Sequence, residues 1–443
     1  MEKSRIVALE TINDIEDRGM YSNIALGKRL TRSGLSGKDR GFVTELVYGV
    51  VENRYFLENA ISQFSKIRLS KLSPVVLNIL KMGVYQILIL DGVKDFAAVN
   101  ESVELAKKFK PQTAGFVNAV LRNLIRSKGS IKMPSEKKNP AKYLSVKYSY
   151  EEWIADEWIK TYGVEFTKEL MMSNMERPSI YIRTNTLKTT REQLLQMLSE
   201  QGIECEAVGM AAEAIRVRGM KNIESNELFA KGMFFVQDIS SMLVAHVANP
   251  KNNMHVLDVC SAPGGKTTHM ATLMENTGCV EARDVHEHKI GLINQNANRL
   301  GLKNINAKIG DATKHQDELD EKFDIVLADV PCSGFGIISR KPEIKYKSKQ
   351  EIDQLPSIQM GILENVNRYV KKDGLLIYST CTIEYKENMG VVSQFLKQNS
   401  DYVLEPIKEV YIDMETQKDG YIQTYPNIHG IDGFFIAKLR KVR

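Results

Sequence analysis

The spacing of hydrophobic residues over the first part of the chain predicts helices. Ile6, Leu9, Ile12 and Ile15 recur at the intervals that place side chains on one face of a helix. Similar patterns follow, each introduced by a polar start signal or closed by a glycine. Residues 1–130 are therefore predicted to form an all-α domain, and they contain no obvious catalytic motif.

Two changes of pattern divide the rest of the chain. Residues 131–149 contain two prolines and many lysines, which is typical of a linker. Residues 150–245 mix helical periodicity with short alternating stretches, which predicts a small α+β subdomain. Over residues 246–443 hydrophobic runs alternate with amphipathic segments, which predicts an α/β domain with helices on both faces of a parallel sheet.

Six hydrophobic runs of this last part are predicted as strands. They are His255–Val259, Cys279–Asp284, Asn304–Ile309, Phe323–Ala328, Leu375–Ser379 and Phe434–Leu439. We expect the fourth and fifth to be adjacent to the first. Ligands of such sheets bind at the carboxyl ends of the strands, so the residues that end each run are the first candidates for chemistry.

Composition narrows the class of protein. The 443 residues are 43% hydrophobic and 26% charged, and no apolar run approaches the ~20 residues that span a membrane. The N-terminus lacks the pattern of a signal peptide. The five cysteines include no CxxC pair, which argues against a disulfide framework or a zinc site and for a reducing compartment. We therefore expect a cytoplasmic protein.

Positive charge is concentrated in one stretch. The net charge is only +5, but eleven lysines and arginines lie between Lys107 and Lys147, against the single acid Glu136. Such a stretch indicates a polyanionic partner, most simply a nucleic acid. A solvated basic linker is the alternative interpretation.

A glycine-rich turn follows the first predicted strand. Pro263-Gly264-Gly265 precedes a helix, whose free N–H groups favour an anionic or polar ligand, while both the dinucleotide fingerprint and the Walker pattern are absent. Asp258, Asp284 and Asp311 end three consecutive strands. Each one alone could be a helix cap, but the series predicts a site for an adenosyl ligand.

Two cysteines and one carboxylate end the next two strands. Asp329 and Cys332 follow the fourth strand, and Cys381 follows the fifth. Addition of a thiolate to C6 of a pyrimidine makes C5 nucleophilic enough to accept a methyl group. A carboxylic acid can stabilise the intermediate at N3, and a base must then remove the C5 proton. These residue types meet those needs, although their spacing does not assign a role to either thiol.

Two other classes of protein would fit part of this sequence. A non-catalytic RNA-binding or antitermination factor would explain the helical domain, but it has no use for the two thiols beside Asp329. An oxidoreductase would need the missing dinucleotide fingerprint. DNA as a substrate remains open, because the basic stretch alone does not separate DNA from RNA.

Several motifs resemble those of the RNA (cytosine-5)-methyltransferases, a family that uses S-adenosylmethionine on a Rossmann-like fold. In the last domain the similar segments are Asp258–Thr267, Asp329–Gly334 and Ser379–Thr382. Upstream, Asp39–Gly49 and Phe116–Arg122 resemble the NusB-type helical RNA-binding domain, and Arg183–Lys188 and Val236–Ser241 resemble the segment that precedes the catalytic domain. A NusB-like domain joined to this core is the arrangement of Sun/RsmB-type enzymes.

The resemblance implies a function. Such an enzyme methylates C5 of one cytosine of 16S small-subunit rRNA, at a 967-type site, through a covalent adduct between cysteine and C6. The alternative is methylation of another RNA or, less favoured, of DNA. The implied partner is 16S rRNA, possibly within an assembling small subunit, and the protein is expected to act as a monomer.

The resemblance also implies site residues. Cys381 is the nucleophile, Cys332 is the base that allows product release, and Asp329 contacts the cytosine. No metal is expected, and the residues implied for cofactor binding are Cys260, Ser261, Ala262, Pro263, Gly264, Gly265, Lys266, Asp284, Asp311 and Asp329. The chain departs from the family where Ser339 replaces the first of two arginines and Thr382 replaces a serine. The first departure affects a phosphate contact and not the chemistry.

Overall fold

A computed structural model describes residues 3–220, 223–410 and 414–443. The chain forms two compact units. One comprises the residues up to Arg177 together with Ile338–Lys349, and the other comprises Pro178–Ile337 and Gln350–Arg443. Within the described ranges, no helix is both long and apolar enough to cross a membrane.

The first unit is helical, as the hydrophobic pattern predicts. Its helices are α1 (Lys3–Glu16), α2 (Ser22–Ser33), α3 (Gly37–Glu52), α4 (Arg54–Phe64), α5 (Pro74–Leu88), α6 (Asp95–Phe109), α7 (Ala114–Arg126), α8 (Pro140–Tyr148), α9 (Glu152–Tyr162) and α10 (Val164–Ser173). Ile6 is half-buried, and the faces of α1 that carry Leu9, Ile12 and Ile15 pack into a single core. Pro74 occupies the first turn of α5, and the fixed φ of proline suits that position.

The predicted linker over residues 131–149 is in part folded. Its second half forms α8, in which Leu144, Val146 and Tyr148 are buried. Asn139 caps this helix, because its side-chain oxygen accepts a hydrogen bond from the N–H of Lys142 at 2.9 Å. The lysines therefore lie on a packed helix and on the segment before it.

The second unit contains two sheets. Its elements are β1 (Ile180–Thr184), α11 (Arg191–Glu200), β2 (Glu204–Ala207), β3 (Ala214–Arg218), α12 (Glu227–Ala230), β4 (Phe234–Val236), α13 (Ile239–Ala248), β5 (His255–Asp258), α14 (Gly265–Leu273), β6 (Cys279–Asp284), α15 (Glu287–Leu300), β7 (Ile305–Ile309), β8 (Phe323–Asp329), α16 (Lys349–Asp353, whose first residue belongs to the first unit), α17 (Leu355–Val366), β9 (Val370–Thr380), α18 (Met389–Gln398), β10 (Tyr402–Leu404), β11 (Tyr421–Thr424), α19 (Pro426–His429) and β12 (Phe434–Lys441).

Short 3₁₀ helices connect several elements of both units. They are Leu69–Lys71, Pro111–Thr113, Lys128–Ser130, Ile223–Ser225, Asp317–Leu319, Pro342–Tyr346, Asn367–Tyr369 and Glu415–Gln417.

The small sheet is antiparallel, with strand order β2-β3-β1-β4. The large sheet has the order β10-β12-β9-β8-β5-β6-β7, and β11 pairs with β12. Within the group β5 to β9, every pair of neighbouring strands is parallel, whereas β12 runs antiparallel to β9. The Rossmann-like order is as expected, because the crossover reverses between β5 and β8 and opens a crevice at the carboxyl ends.

One expectation about this topology is wrong. Of the fourth and fifth predicted strands, only the fourth, β8, is adjacent to the first, β5. The fifth, β9, pairs with β8 instead, and Asp329 lies opposite Ser379 in that register. The strand-end residues of β8 and β9 are therefore neighbours, while β5 contributes from the other side of β8.

Candidate active site

The carboxyl ends of five parallel strands bring the predicted residues to one edge of the large sheet. Asp258 ends β5, Asp284 ends β6 and Asp329 ends β8. Cys381 follows the last residue of β9, and Cys332 lies three residues beyond the end of β8. This placement follows from the parallel register, because equivalent ends of neighbouring strands meet at the same edge.

The two thiols are in contact. Sγ of Cys332 and Sγ of Cys381 are 3.3 Å apart, and both side chains are half-buried. The hydrogen bond with Cys381 raises the pKa of Cys332 well above its ordinary value, and burial raises it further. Two thiols at this distance cannot both ionise readily, so the second proton stays on the pair. The pair therefore disfavours a second thiolate once one has formed.

Buried polar side chains hold the loops that carry the thiols. Ser333 Oγ and Thr382 Oγ1, the residues that follow the two cysteines, lie 2.6 Å apart. Glu387 accepts a hydrogen bond from the N–H of Ser333 at 2.9 Å and another from Gln359 Nε2 at 2.8 Å. Because hydroxyls bond each other here, the replacement of a serine by Thr382 preserves the contact. The turn after β8 is thus tied to the turn after β9.

Asp329 is held between two partners. Lys266 Nζ lies 2.8 Å from one carboxylate oxygen, and Ser379 Oγ donates to the other at 2.7 Å. Burial is the largest single influence on Lys266 and disfavours its ammonium, but the charge and the hydrogen bond of Asp329, together with the charges of Cys381 and Asp258, outweigh it, so the pKa of Lys266 is raised. This pair joins the glycine-rich turn to the loop that leads to Cys332. The carboxylate is thereby oriented beside the thiols.

The glycine-rich turn is shaped by its backbone. Gly264 has φ +101°, a left-handed conformation that favours glycine, and it lies at the start of α14. The N–H of Ser261 donates to the Arg283 carbonyl at 2.8 Å, and the N–H of Gly264 donates to the Ser261 carbonyl at 2.7 Å. Burial raises the pKa of the Cys260 thiol, so that cysteine is a poor nucleophile.

The three acids of the predicted adenosyl site have different surroundings. Asp258 is buried, burial raises its pKa to about 7, and its Oδ2 accepts from Thr267 Oγ1 at 2.6 Å. Asp284 accepts from the N–H of His286 at 3.0 Å through Oδ1. Asp311 accepts from both the N–H and the hydroxyl of Thr313, at 3.0 and 2.6 Å, so it closes a turn of its own chain.

Some side chains of the site gave no signal in the sequence. Glu387 and Gln359 lie outside the recognised motifs, and only the fold shows that both brace the residues around Cys332. Arg183–Lys188 resembles a segment of the family, but this resemblance does not indicate which atoms the side chains of the segment contact. Thr267 lies inside the first motif, and its bond to Asp258 is visible only in the structure.

Comparison with known proteins assigns the chain to a family. The model of the 16S rRNA methyltransferase RsmB/F matches residues 245–440, that of the NusB family matches residues 2–126, and that of the RsmF/B-like ferredoxin-like domain matches residues 150–224. The small α+β subdomain is thus of ferredoxin-like type.

Individual relatives and solved structures are also similar to this chain. A protein of Bacillus subtilis (strain 168) named probable ribosomal RNA small subunit methyltransferase B is 37% identical, over 99% of this chain and 98% of the relative. The crystal structure of PH0851 covers 100% of the chain and 99% of its own at 26% identity, with a TM-score of 0.85. The structure of NSun6 from Pyrococcus horikoshii with SFG, at 23% identity and a TM-score of 0.59, covers 65% of this chain and 97% of its own and shares the fold. The chain belongs to the RsmB/F family of 16S rRNA methyltransferases.

Proposed function

We propose that the protein methylates C5 of one cytosine in 16S small-subunit rRNA, at a 967-type site, with S-adenosylmethionine as the methyl donor. The observation that carries this proposal is the contact of two thiols, 3.3 Å apart, beside the Lys266–Asp329 pair. A methyl transfer to nitrogen or oxygen needs no thiol. Transfer to a pyrimidine C5 needs one to activate the ring and a base to release the product.

The two thiols take complementary roles in this proposal. The Cys381 thiolate adds to C6, which leaves C5 with an electron pair that would take the methyl group of bound S-adenosylmethionine, so that S-adenosylhomocysteine is left. Once Cys381 is bound to carbon, it no longer carries the charge or the hydrogen bond that raises the pKa of Cys332. Cys332 can then release its own proton to solvent and, as a thiolate, remove the proton from C5. The electron pair of the C5–H bond restores the C5–C6 double bond, the C6–S bond breaks, and Cys381 leaves as a thiolate.

Asp329 is proposed to contact the cytosine. Its two oxygens are fixed by Lys266 and Ser379, so the carboxylate cannot rotate away from the thiols. A carboxylate accepts from the exocyclic amino group of cytosine, whereas uracil presents only an oxygen at that position. Asp329 and the Lys266 ammonium can also share a proton. That proton would stabilise the negative charge that develops at N3.

The residues present fit S-adenosylmethionine, which when bound supplies an electrophilic methyl group on a sulfonium. The backbone of Cys260–Lys266 forms the turn at the start of α14, where free N–H groups can bind a polar ligand. Asp284 uses only Oδ1 in its bond to His286, so Oδ2 can accept from a ribose hydroxyl. Both oxygens of Asp311 have partners, because Oδ1 accepts from Thr313 and Oδ2 lies 3.3 Å from Lys314 Nζ, so its proposed role is to place neighbouring backbone atoms against the adenine.

The helical unit is proposed to bind the RNA. Of the eleven basic residues between Lys107 and Lys147, all except the half-buried Lys147 are exposed. Such a surface suits the phosphates of rRNA, in free form or within an assembling subunit, and binding should weaken as the salt concentration rises. We propose that a monomer is the active form.

The mechanism can be tested by trapping the adduct. Cys332→Ala should accumulate a denaturation-resistant complex between protein and 16S rRNA, because the C5 proton is not removed. Cys381→Ala should give neither complex nor 5-methylcytosine. Cys279→Ala, at the first residue of β6, is the matched control and should behave like the parent. Full methylation by Cys381→Ala would show that the assigned mechanism is wrong.

The substrate is tested separately. 5-Methylcytosine in 16S rRNA from a deletion strain is mapped against that from the parent strain, and one site should lose its methyl group. The purified protein is also offered 16S rRNA, an unrelated structured RNA and duplex DNA at equal concentrations. An unchanged rRNA map, or equal methylation of the three substrates, would contradict the proposed substrate.

A further inference from the structure

An arginine of the small sheet is buried without a directly bonded acid. Arg183 lies in β1, and its side chain is only 2% exposed. Burial lowers the pKa of Arg183 to about 9, and the nearby charge of Glu213 only partly opposes this effect. A buried guanidinium is retained only where its donors are satisfied. The acceptors that Arg183 uses therefore indicate its purpose.

Those acceptors belong mainly to the start of the helix that follows the glycine-rich turn. The guanidinium donates to the Gly265 carbonyl at 2.7 Å and to Thr268 Oγ1 at 2.9 Å. It also donates to Gln237 Oε1 and lies over the Phe235 ring, at 5.2 Å from the centroid. A planar guanidinium can hold several acceptors in a fixed relation, which a lysine cannot do.

The cofactor turn packs closely against this part of the small sheet. A Cβ added to Gly265 would lie 3.4 Å from the Phe235 ring and 3.9 Å from the Gln237 amide. Little space therefore separates the first residue of α14 from β4 and from the residue that follows it. A change in the side chain of Arg183 is expected to move the turn, because the guanidinium bonds the Gly265 carbonyl directly.

A second contact joins the same helix to the small sheet one residue further along. Glu213, which precedes β3, lies with its Oε1 2.7 Å from His269 Nε2 and 2.9 Å from His246 Nε2. Its backbone carbonyl accepts from the N–H and the hydroxyl of Thr184, both at 2.9 Å. Burial and the charge of Arg183 lower the pKa of His269 to about 4, so a neutral imidazole lies against the Glu213 carboxylate.

The same three side chains could ligate a metal ion, because their donor atoms lie within 4.8 Å of one another. The charges favour another assignment. The Glu213 carboxylate already acts on the buried Arg183 cation, and a divalent ion would add two positive charges beside it. Glu213 thus compensates the charge of Arg183, and its Oε1 is hydrogen-bonded to His246 Nε2.

We propose that Arg183 is a positioning residue for methyl-donor binding, which holds Gly265 and Thr268 so that the turn at Cys260–Lys266 keeps its shape. Glu213 provides the compensating charge and holds α14 at His269. The inference rests on the proposed use of S-adenosylmethionine. It assigns to the small sheet a role in cofactor affinity, in addition to any contact with RNA.

The test measures binding of S-adenosylmethionine by calorimetry in the absence of RNA, with the full-length chain. Arg183→Met should raise the Kd about tenfold or more, and Arg183→Lys should lie between the parent and Arg183→Met. The KM for S-adenosylmethionine should rise in parallel, while the Kd for rRNA changes less than about twofold. Arg218→Met is the matched control, since Arg218 is an exposed residue of β3 whose partners are Glu204 and Glu206.

A purely structural role would give another result. It would lower the unfolding temperature of Arg183→Met and leave the Kd of the folded fraction within twofold of the parent, which would overturn the inference. If Arg183→Met does not fold, Arg183→Lys and Thr268→Val replace it in a double-mutant cycle. Their effects on the Kd should not add, because each variant breaks the same hydrogen bond. Additive effects would overturn the inference.

Two further outcomes are informative. If the parent itself does not bind S-adenosylmethionine, the proposed function fails, and the result does not depend on Arg183. Stoichiometric metal in the purified parent, lost in His269→Ala, would contradict the role of Glu213 as the compensating charge.

Discussion

Two lysines, the buried Lys345 of the helical unit and the half-buried Lys266 of the second unit, show how differently this protein uses the same side chain. In the helical unit, Lys345 donates to the carbonyls of Glu52 and Tyr148, at 3.3 and 3.1 Å, and burial lowers its pKa to about 8. In the second unit, Lys266 lies 2.8 Å from the Asp329 carboxylate, and its pKa is raised. Burial opposes the charge of both lysines, and the partner decides the result.

The contacts of the two lysines indicate different roles. Lys345 belongs to the segment Ile338–Lys349, which leaves the second unit in sequence but packs within the first. Its neighbour Tyr346 donates to the Val51 carbonyl. Lys345 and Tyr346 thus act as anchors, which means that their hydrogen bonds hold this segment in the helical unit. Lys266 pairs with the carboxylate that is proposed to contact the cytosine. The contacts of Lys345 therefore favour stability, and those of Lys266 fit the proposed chemistry.

The largest effect is expected at Lys266. Lys266→Ala should lower kcat/KM about 10³-fold, because Asp329 loses the partner that orients it and stabilises its charge. Lys345→Ala should leave the Kd for S-adenosylmethionine within about twofold of the parent. Steady-state methylation and calorimetry measure both. Equal losses of activity in the two variants would end the distinction between the lysines.

The next effect is on stability. Lys345→Ala should lower the free energy of unfolding of the helical unit by about 3 kcal/mol, because it leaves a cavity and two buried carbonyls without a donor. Denaturant unfolding followed by the two tryptophans reports on this unit, since Trp153 and Trp158 both lie in α9. A variant as stable as the parent would show that Lys345 is not an anchor.

A smaller effect depends on pH. Burial raises the pKa of Glu52 from 4.5 to about 7, so the folded state binds more protons between these values and stability falls as pH rises. The pKa of Lys345 falls from 10.5 to about 8, so the unfolded state binds more protons in that window and stability rises with pH. Relative to Glu52→Gln/Lys345→Met, the parent should be least stable between about pH 7 and 8. A difference that does not vary with pH would contradict this.

The smallest effect is expected at Lys349, in the same segment as Lys345. Lys349 pairs with Glu157, but its side chain is 47% exposed. Lys349→Met should change the free energy of unfolding by no more than about 0.5 kcal/mol, because water and salt screen an exposed pair. This variant is also the control for Lys345→Ala. A loss as large as that of Lys345→Ala would show that the whole segment, and not the buried contact, is sensitive.

Much of the fold could be predicted because its signals are local. The strands that carry Asp258, Asp284 and Asp329 read as hydrophobic runs, and each acid lies at the end of its run in the structure. The helices of the first unit follow from the spacing of residues such as Leu9 and Ile12. Periodicity is a property of neighbouring residues, so it survives without knowledge of the tertiary structure.

Other features could not be predicted, because they join residues far apart in the chain. Periodicity does not report which strands pair, so the adjacency of β9 to β5 was expected wrongly. Nor does it show that Ile338–Lys349 packs with the helical unit. The contacts of Glu387 with Ser333, and of Arg183 with Gly265, depend on how distant segments fold together.

The sequence by itself determined the chemistry available to this protein, since two thiols, a carboxylate and a glycine-rich turn are set by residue type and by position at strand ends. It also determined the family, because those motifs are contiguous. The tertiary structure alone places the two thiols 3.3 Å apart, the Lys266 ammonium against Asp329 and the Arg183 guanidinium against the Gly265 carbonyl. Distances and pKa values depend on which side chains burial brings together, and burial is a property of the whole fold.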